Sequence, residues 1–156
     1  MVARTFSKAY GLAGLRIGVL AAREETLNWM RRVISPYSVN ALALACLPAA
    51  LGDDEYLDWY VGEAKASRAE LGQRLTELGV RWWPSEANFL LTHIGPKHRE
   101  FVSAMHGRGV LVRNRSADPG CEGWVRITSG TREQMRECLK AIDESLNEIE
   151  WRGIRD

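Results

Sequence analysis

The chain has 156 residues, 46% of them hydrophobic and 26% charged, enough apolar material for a buried core. Its formal net charge of +1 excludes the basic bias that draws proteins to nucleic acids or acidic membrane surfaces. Cys46, Cys121 and Cys138 are odd in number and form no Cys-x-x-Cys, which argues against a disulfide framework and for a reducing cytoplasm.

In chain order, residues 1–4 read as the end of a strand. Arg4 to Gly18 then carries the first chemistry. Lys8 is flanked by Thr5 and Ser7, followed by Gly11 and Gly14, with Arg16 eight positions on. A lysine that does covalent work needs a carbonyl partner, and an arginine beside hydroxyls can grip a phosphate through charge-assisted bonds. Together they suggest a cofactor with both an aldehyde and a phosphate, which is pyridoxal phosphate. The order excludes a P-loop, where lysine follows the glycines, and glycines at 11, 14 and 18 do not fit the dinucleotide fingerprint. An ordinary strand–turn–strand with a surface lysine and a solvated arginine fits the spacing equally well.

Residues 17–21 continue as a short strand. A helix is predicted over 24–32, acidic at its start and basic at its end, with Leu27, Met30 and Ile34 inward and Pro36 as its stop. Asn40 caps a second, apolar helix ending near Gly52. That segment is too short to cross a bilayer and is interrupted by Pro48, and no signal peptide is visible. Asp53 or Asp54 opens a long helix whose stripe is Leu57, Val61, Ala64, Leu71, Leu75 and Leu78, with Arg68 in the gap and Gly79 at the end.

Strands are predicted over 80–83 and 88–92, with Trp82 and Trp83 on opposite faces and Asn88 a structural hydrogen-bonder. A helix over 96–107 turns Phe101, Val102 and Met105 inward. A strand over 110–113, a polar loop and a strand over 124–128 follow. Alternation puts Val125 and Ile127 on one face and Trp124, Arg126 and Thr128 on the other. Thr131 and Gln134 form a capping box for a last helix with Met135, Cys138, Leu139, Ile142, Leu146 and Ile149 inward. Arg132 reads as solvated and the tail from Trp151 as frayed. His93, His98 and His106 stand at no metal-ligand spacing, so no metal is read. Arg113 and Arg126 are the second constellation: two arginine forks on adjacent strands form a slot for carboxylate or phosphate, although strand-end arginines are more often solvated.

Ser-Lys-Ala-Tyr-Gly-Leu-Ala-Gly-Leu-Arg-Ile-Gly, residues 7–18, resembles the cofactor-lysine segment of class II fold-type I aminotransferases, most closely the histidinol-phosphate aminotransferases. Leu-Val-Arg ending at Arg113, and Val-Arg-Ile-Thr-Ser-Gly-Thr-Arg-Glu from Val125, resemble that family's two substrate-arginine segments. Residues 86–89 resemble a segment near its active site. The resemblance implies that Lys8 carries pyridoxal 5′-phosphate. It implies that Thr5 and Arg16, with Ser7 as a further candidate, hold the cofactor phosphate. Arg126 then binds the substrate carboxylate or phosphate, and Arg113 assists.

The implied fold is α/β: residues 1–35 the end of a large cofactor domain, 36–78 a helical linker, 79–156 a small α+β domain. The implied activity moves an amino group from histidinol phosphate to 2-oxoglutarate in a cytoplasmic homodimer. Lys8, displaced by the amino substrate, acts as general base and acid. An aromatic amino-acid aminotransferase and a decarboxylase of phosphorylated threonine are the alternatives within the fold. A catalytically silent piece of a split or truncated gene is the alternative outside it. The resemblance covers about the C-terminal half of the family and lacks its Gly-rich phosphate loop and ring-nitrogen aspartate, so the chain alone is expected to be inactive.

Overall fold

The computed structural model describes residues 1–153; residues 154–156, the end of the expected small domain and tail, lie outside the described residues. The chain is mixed α/β and divides into two compact units, Met1–Val61 and Gly62–Asp156.

In the first unit β1 (Val2–Thr5) pairs antiparallel with β2 (Gly18–Ala21), Thr5 facing Gly18. Gly18 is required there, because a Cβ would lie 2.6 Å from the Arg4 carbonyl oxygen. The residues just past the strands, Phe6 and Ile17, turn inward and meet Ala43 in a small core. Helix α1 (Glu24–Arg31) starts on Glu24 and Glu25 and ends on Arg31, which suits its dipole. Pro36 is not its stop: the Arg32 and Val33 N–H groups close the last turn on the Trp29 and Met30 carbonyls first. Ile34 consequently lies beyond the helix and is exposed rather than inward.

Helix α2 (Ala41–Leu51) is capped as expected, with Asn40 Oδ1 accepting from the Ala43 N–H at 2.8 Å. Pro48 does not interrupt it. The missing N–H at 48 leaves the Leu44 carbonyl without its helical donor, and Leu44 is exposed, so water can serve it.

Helix α3 (Asp54–Glu77) contains the division between the units. Only part of its expected stripe is core: Leu71 and Leu75 are fully buried, while Leu57, Val61 and Ala64 are half-buried. Arg68, in the gap, donates to the Ala87 carbonyl at 2.8 Å and pairs with Glu86 at 3.3 Å. Gly79, at φ 69°, closes the helix in a Schellman motif, with Val80 N–H on the Leu75 carbonyl at 2.8 Å.

The second unit is built on an antiparallel sheet of β3 (Trp82–Trp83), β4 (Phe89–His93), β5 (Arg113–Asn114) and β6 (Trp124–Thr128), in spatial order β3-β4-β6-β5. Leu90, Val125 and Ile127 form one core with Leu71 and Leu75 of α3, Phe101 and Met105 of α4 (His98–Gly107), and Met135 and Ile142 of α5 (Arg132–Glu148). Trp82 packs inward over Gly72, where a Cβ would lie 3.0 Å from its ring, and donates to Thr76 Oγ1. Trp83 faces the other way and is exposed.

Several boundaries differ from expectation. β3 takes up only the last two of residues 80–83, β4 begins at Phe89, and α4 begins at His98 after a 3-10 turn over Gly95–Lys97. β5 is shorter and later than residues 110–113. Val110 N–H is spent on the Met105 carbonyl in the exit from α4, so pairing starts only at Arg113. The capping box of Thr131 and Gln134 is present.

Two tertiary contacts overturn expectations. Arg132 is not merely solvated: Glu63 accepts its backbone N–H at 2.9 Å and its Nε at 2.7 Å. Trp151 is not frayed: it packs on the core and donates its indole N–H to the Ile94 carbonyl at 3.1 Å.

Two expected outcomes follow from this packing. Gly123, at φ 77°, leaves no room for a side chain, since a Cβ would lie 2.7 Å from Gly95 Cα. Gly123→Ala should destabilise by about 2–3 kcal/mol in denaturant unfolding. The Glu63 carboxyl is held below its ordinary value of 4.5, first by the Arg132 backbone N–H and then by the guanidinium. Its contribution is therefore complete above that value and is lost as pH falls through the lower folded pKa. The melting temperature of Glu63→Gln should fall less between pH 5 and pH 3 than that of the unsubstituted chain.

Candidate active site

The loop between β1 and β2 brings Thr5, Ser7, Lys8 and Arg16 onto one short segment. Thr5 Oγ1 donates to Ser7 Oγ at 2.8 Å and accepts the Ser7 backbone N–H at 3.2 Å, so the two hydroxyls form a local hydrogen-bonded pair. Lys8 follows on a turn closed by Gly11 N–H on the Lys8 carbonyl at 2.9 Å, with Gly11 at φ 68°. The Lys8 side chain is exposed. Arg16 has a left-handed backbone, φ 52° and ψ 48°, and donates to the Ala13 carbonyl at 3.0 Å. Among the described residues neither Lys8 nor Arg16 is engaged by a carboxylate.

In the second unit Arg113 and Arg126 are cross-strand partners of the β5–β6 ladder. Two cations directly opposite one another repel, and no acid among the described residues pairs with either. The Arg126 guanidinium lies 5.2 Å from the Phe89 ring centroid, and its Nε is buried without a hydrogen-bond partner among the described residues. This is a cation held by an aromatic face, its donors left for an anion. Thr128, next but one along β6, shares its outward face.

Three features escaped the sequence reading. Phe89 as the platform for Arg126 depends on register, since Phe89 faces Thr128 and meets Arg126 on the diagonal. Its outward place on the strand was available from alternation with Leu90, but its partner was not. Asn88 serves through its main chain, its carbonyl accepting the Ser129 N–H at 2.8 Å. Asn40 does more than cap α2: its Nδ2 donates to the Leu15 carbonyl at 2.8 Å.

The family model for aminotransferases of class I and II matches residues 1–142. The chain belongs to this aminotransferase family. Histidinol-phosphate aminotransferase 2 of Ralstonia nicotianae is 37% identical over 153 residues, covering 96% of this chain and 41% of the relative. The solved histidinol-phosphate aminotransferase of Sinorhizobium meliloti, in complex with pyridoxal-5′-phosphate, superposes with a TM-score of 0.82 at 28% identity, over 94% of this chain and 41% of that one. The L-threonine-O-3-phosphate decarboxylase of Porphyromonas gingivalis superposes with a TM-score of 0.75 at 27% identity, over 93% of this chain and 46% of that one. The chain thus spans about two-fifths of the length of the curated relatives it matches. The aminotransferase fold here includes, among the described residues, no helix long and apolar enough to cross a membrane.

Proposed function

We propose that this chain supplies the cofactor lysine and the substrate arginines of a pyridoxal-phosphate-dependent transaminase that exchanges an amino group between histidinol phosphate and 2-oxoglutarate. The observation that carries the reading is the β1–β2 loop: one primary amine, two paired hydroxyls and a guanidinium in a single loop, none of them bonded to a carboxylate among the described residues. That donor set suits a phosphate at Thr5, Ser7 and Arg16 and an aldehyde at Lys8. Family membership and the cofactor-bound solved relative support the same cofactor.

When bound, pyridoxal phosphate supplies an aldehyde that captures amines and a ring that draws electrons from the substrate α-carbon. Lys8 Nζ would hold it and, as base and then acid, would carry a proton from the substrate α-carbon to the cofactor's C4′. Arg126 takes the substrate's anionic group on a planar fork, and Arg113 adds the second positive charge that a phosphate dianion requires.

Within this reading residues 1–35 close a large cofactor domain, 36–78 form a helical linker and 79–156 a small α+β domain. The assembly is a homodimer, and the location cytoplasmic, consistent with three free cysteines. The decarboxylase relative supports a second reading, in which the same arginines take the phosphate of phosphothreonine. Release of carbon dioxide from that substrate, with no 2-oxo product, would separate the two.

The chain should be labelled at Lys8 when it is incubated with pyridoxal 5′-phosphate, reduced with borohydride and mapped by peptide; a label confined to Lys65, Lys97 or Lys140 removes the assignment. In the assembled transaminase Arg126→Lys keeps the charge and loses the fork. It should cost about 10- to 1,000-fold in kcat/KM for the amino donor, while pyridoxal phosphate still labels Lys8. Half-reaction kinetics with each donor checks this.

A further inference from the structure

Arg16 holds a backbone conformation that L-residues adopt reluctantly, φ 52° and ψ 48°, on the segment proposed to bind phosphate. Its surroundings explain how. On the C-terminal side, Ile17 is buried and its carbonyl accepts the Phe6 N–H at 3.3 Å. On the N-terminal side, Leu15 N–H closes a 3-10 turn on the Leu12 carbonyl at 3.1 Å. The Leu15 carbonyl and the Arg16 N–H belong to one rigid peptide plane, so whatever holds that carbonyl sets φ at Arg16.

The holder is Asn40, twenty-five residues away, whose Nδ2 donates to the Leu15 carbonyl at 2.8 Å. The other end of the same amide, Oδ1, accepts the Ala43 N–H at 2.8 Å as the cap of α2. Capping alone does not require asparagine, because serine or threonine offers an equivalent acceptor. Only the amide also carries an NH2 donor on the opposite end. Helix α2, anchored through fully buried Ala43 on the core shared with Phe6 and Ile17, thereby serves as a fixed post for the loop.

We infer that Asn40 is a positioning residue whose side-chain amide pins the Leu15–Arg16 peptide, so that Arg16 presents its guanidinium to the cofactor phosphate. The inference rests on the reading of Arg16 as a phosphate-binding residue.

The test compares two aldehydes on the 156-residue chain, pyridoxal 5′-phosphate and pyridoxal, which differ in the phosphate alone. Each condenses with an amine with loss of water, and borohydride delivers hydride to the resulting C=N bond, leaving a stable label that is quantified at Lys8. The chain should favour the phosphorylated aldehyde, and Arg16→Gln should bring the preference close to unity. Asn40→Ser and Asn40→Thr should keep α2, read by far-ultraviolet circular dichroism, and keep labelling by pyridoxal, yet lower the preference by about threefold or more. If Arg16→Gln loses the preference while both Asn40 variants retain it, the positioning role is overturned and the reading of Arg16 stands. A fall with both aldehydes alike makes Asn40 merely structural and also overturns it. If Arg16→Gln leaves the preference intact, or the chain shows none, the reading of Arg16 falls and takes the inference with it.

Discussion

A slip of one residue between Phe89–His93 and Trp124–Thr128 would turn Arg126 into the core and Val125 and Ile127 into solvent. The pairing of β4 with β6, Leu90 opposite Ile127 and Thr92 opposite Val125, is therefore the constraint on which the second unit depends. It is enforced on the inner face, where Leu90, Val125 and Ile127 are fully buried against Leu71, Leu75, Phe101 and Met105. The cost of exposing three such side chains is several kcal/mol, at roughly 1.5–3 kcal/mol for each large apolar group. The outward face inherits its order from that choice: Phe89 lies beneath Arg126, and Arg113 is directly opposite it. Close approach of Gly123 to Gly95 fixes where β6 begins, which keeps the register from drifting.

The first unit solves a different problem with less material. Its core is Phe6, Ile17 and Ala43, with Tyr10, Leu12, Leu15 and Leu47 around it. Phe6 and Ile17 stand at the two mouths of the β1–β2 loop and close it, the Phe6 N–H on the Ile17 carbonyl at 3.3 Å, so the loop that carries Lys8 and Arg16 is tied at its base. Helix α2 is apolar on every side, yet only Ala43 is fully buried, and Leu42 and Leu44 are 70% and 58% exposed. What α2 contributes within the unit is position, through Asn40 and Ala43, rather than bulk.

Local features were legible because they involve residues three or four apart. The Asn40 cap, the Thr131 and Gln134 capping box and the Gly79 stop each close hydrogen bonds within about one turn of helix. The inward set of α5 and the faces of β6 followed from period alone. For two of the expectations that failed, the deciding partner was distant. Arg132 looked solvated because Glu63 lies sixty-nine residues away, and Trp151 looked frayed because the Ile94 carbonyl lies fifty-seven away. β5 was misplaced because a helix exit consumed the Val110 N–H, a hydrogen bond that composition does not display.

By itself the sequence determined the chemistry on offer: a lysine among hydroxyls with an arginine eight positions on, and two further arginines thirteen apart. It also determined the helices and the strand faces, since propensity, capping and periodicity act over a few residues. Only the tertiary structure decided which of these groups stand together and in what state. Cross-strand register made Arg113 and Arg126 a facing pair with no acid paired to either among the described residues. An aromatic ring, not a carboxylate, came to lie beside Arg126, and an amide from α2 came to hold the peptide before Arg16. These are contacts between segments far apart in the chain, set by which apolar faces bury one another, and that competition is settled over the whole fold at once.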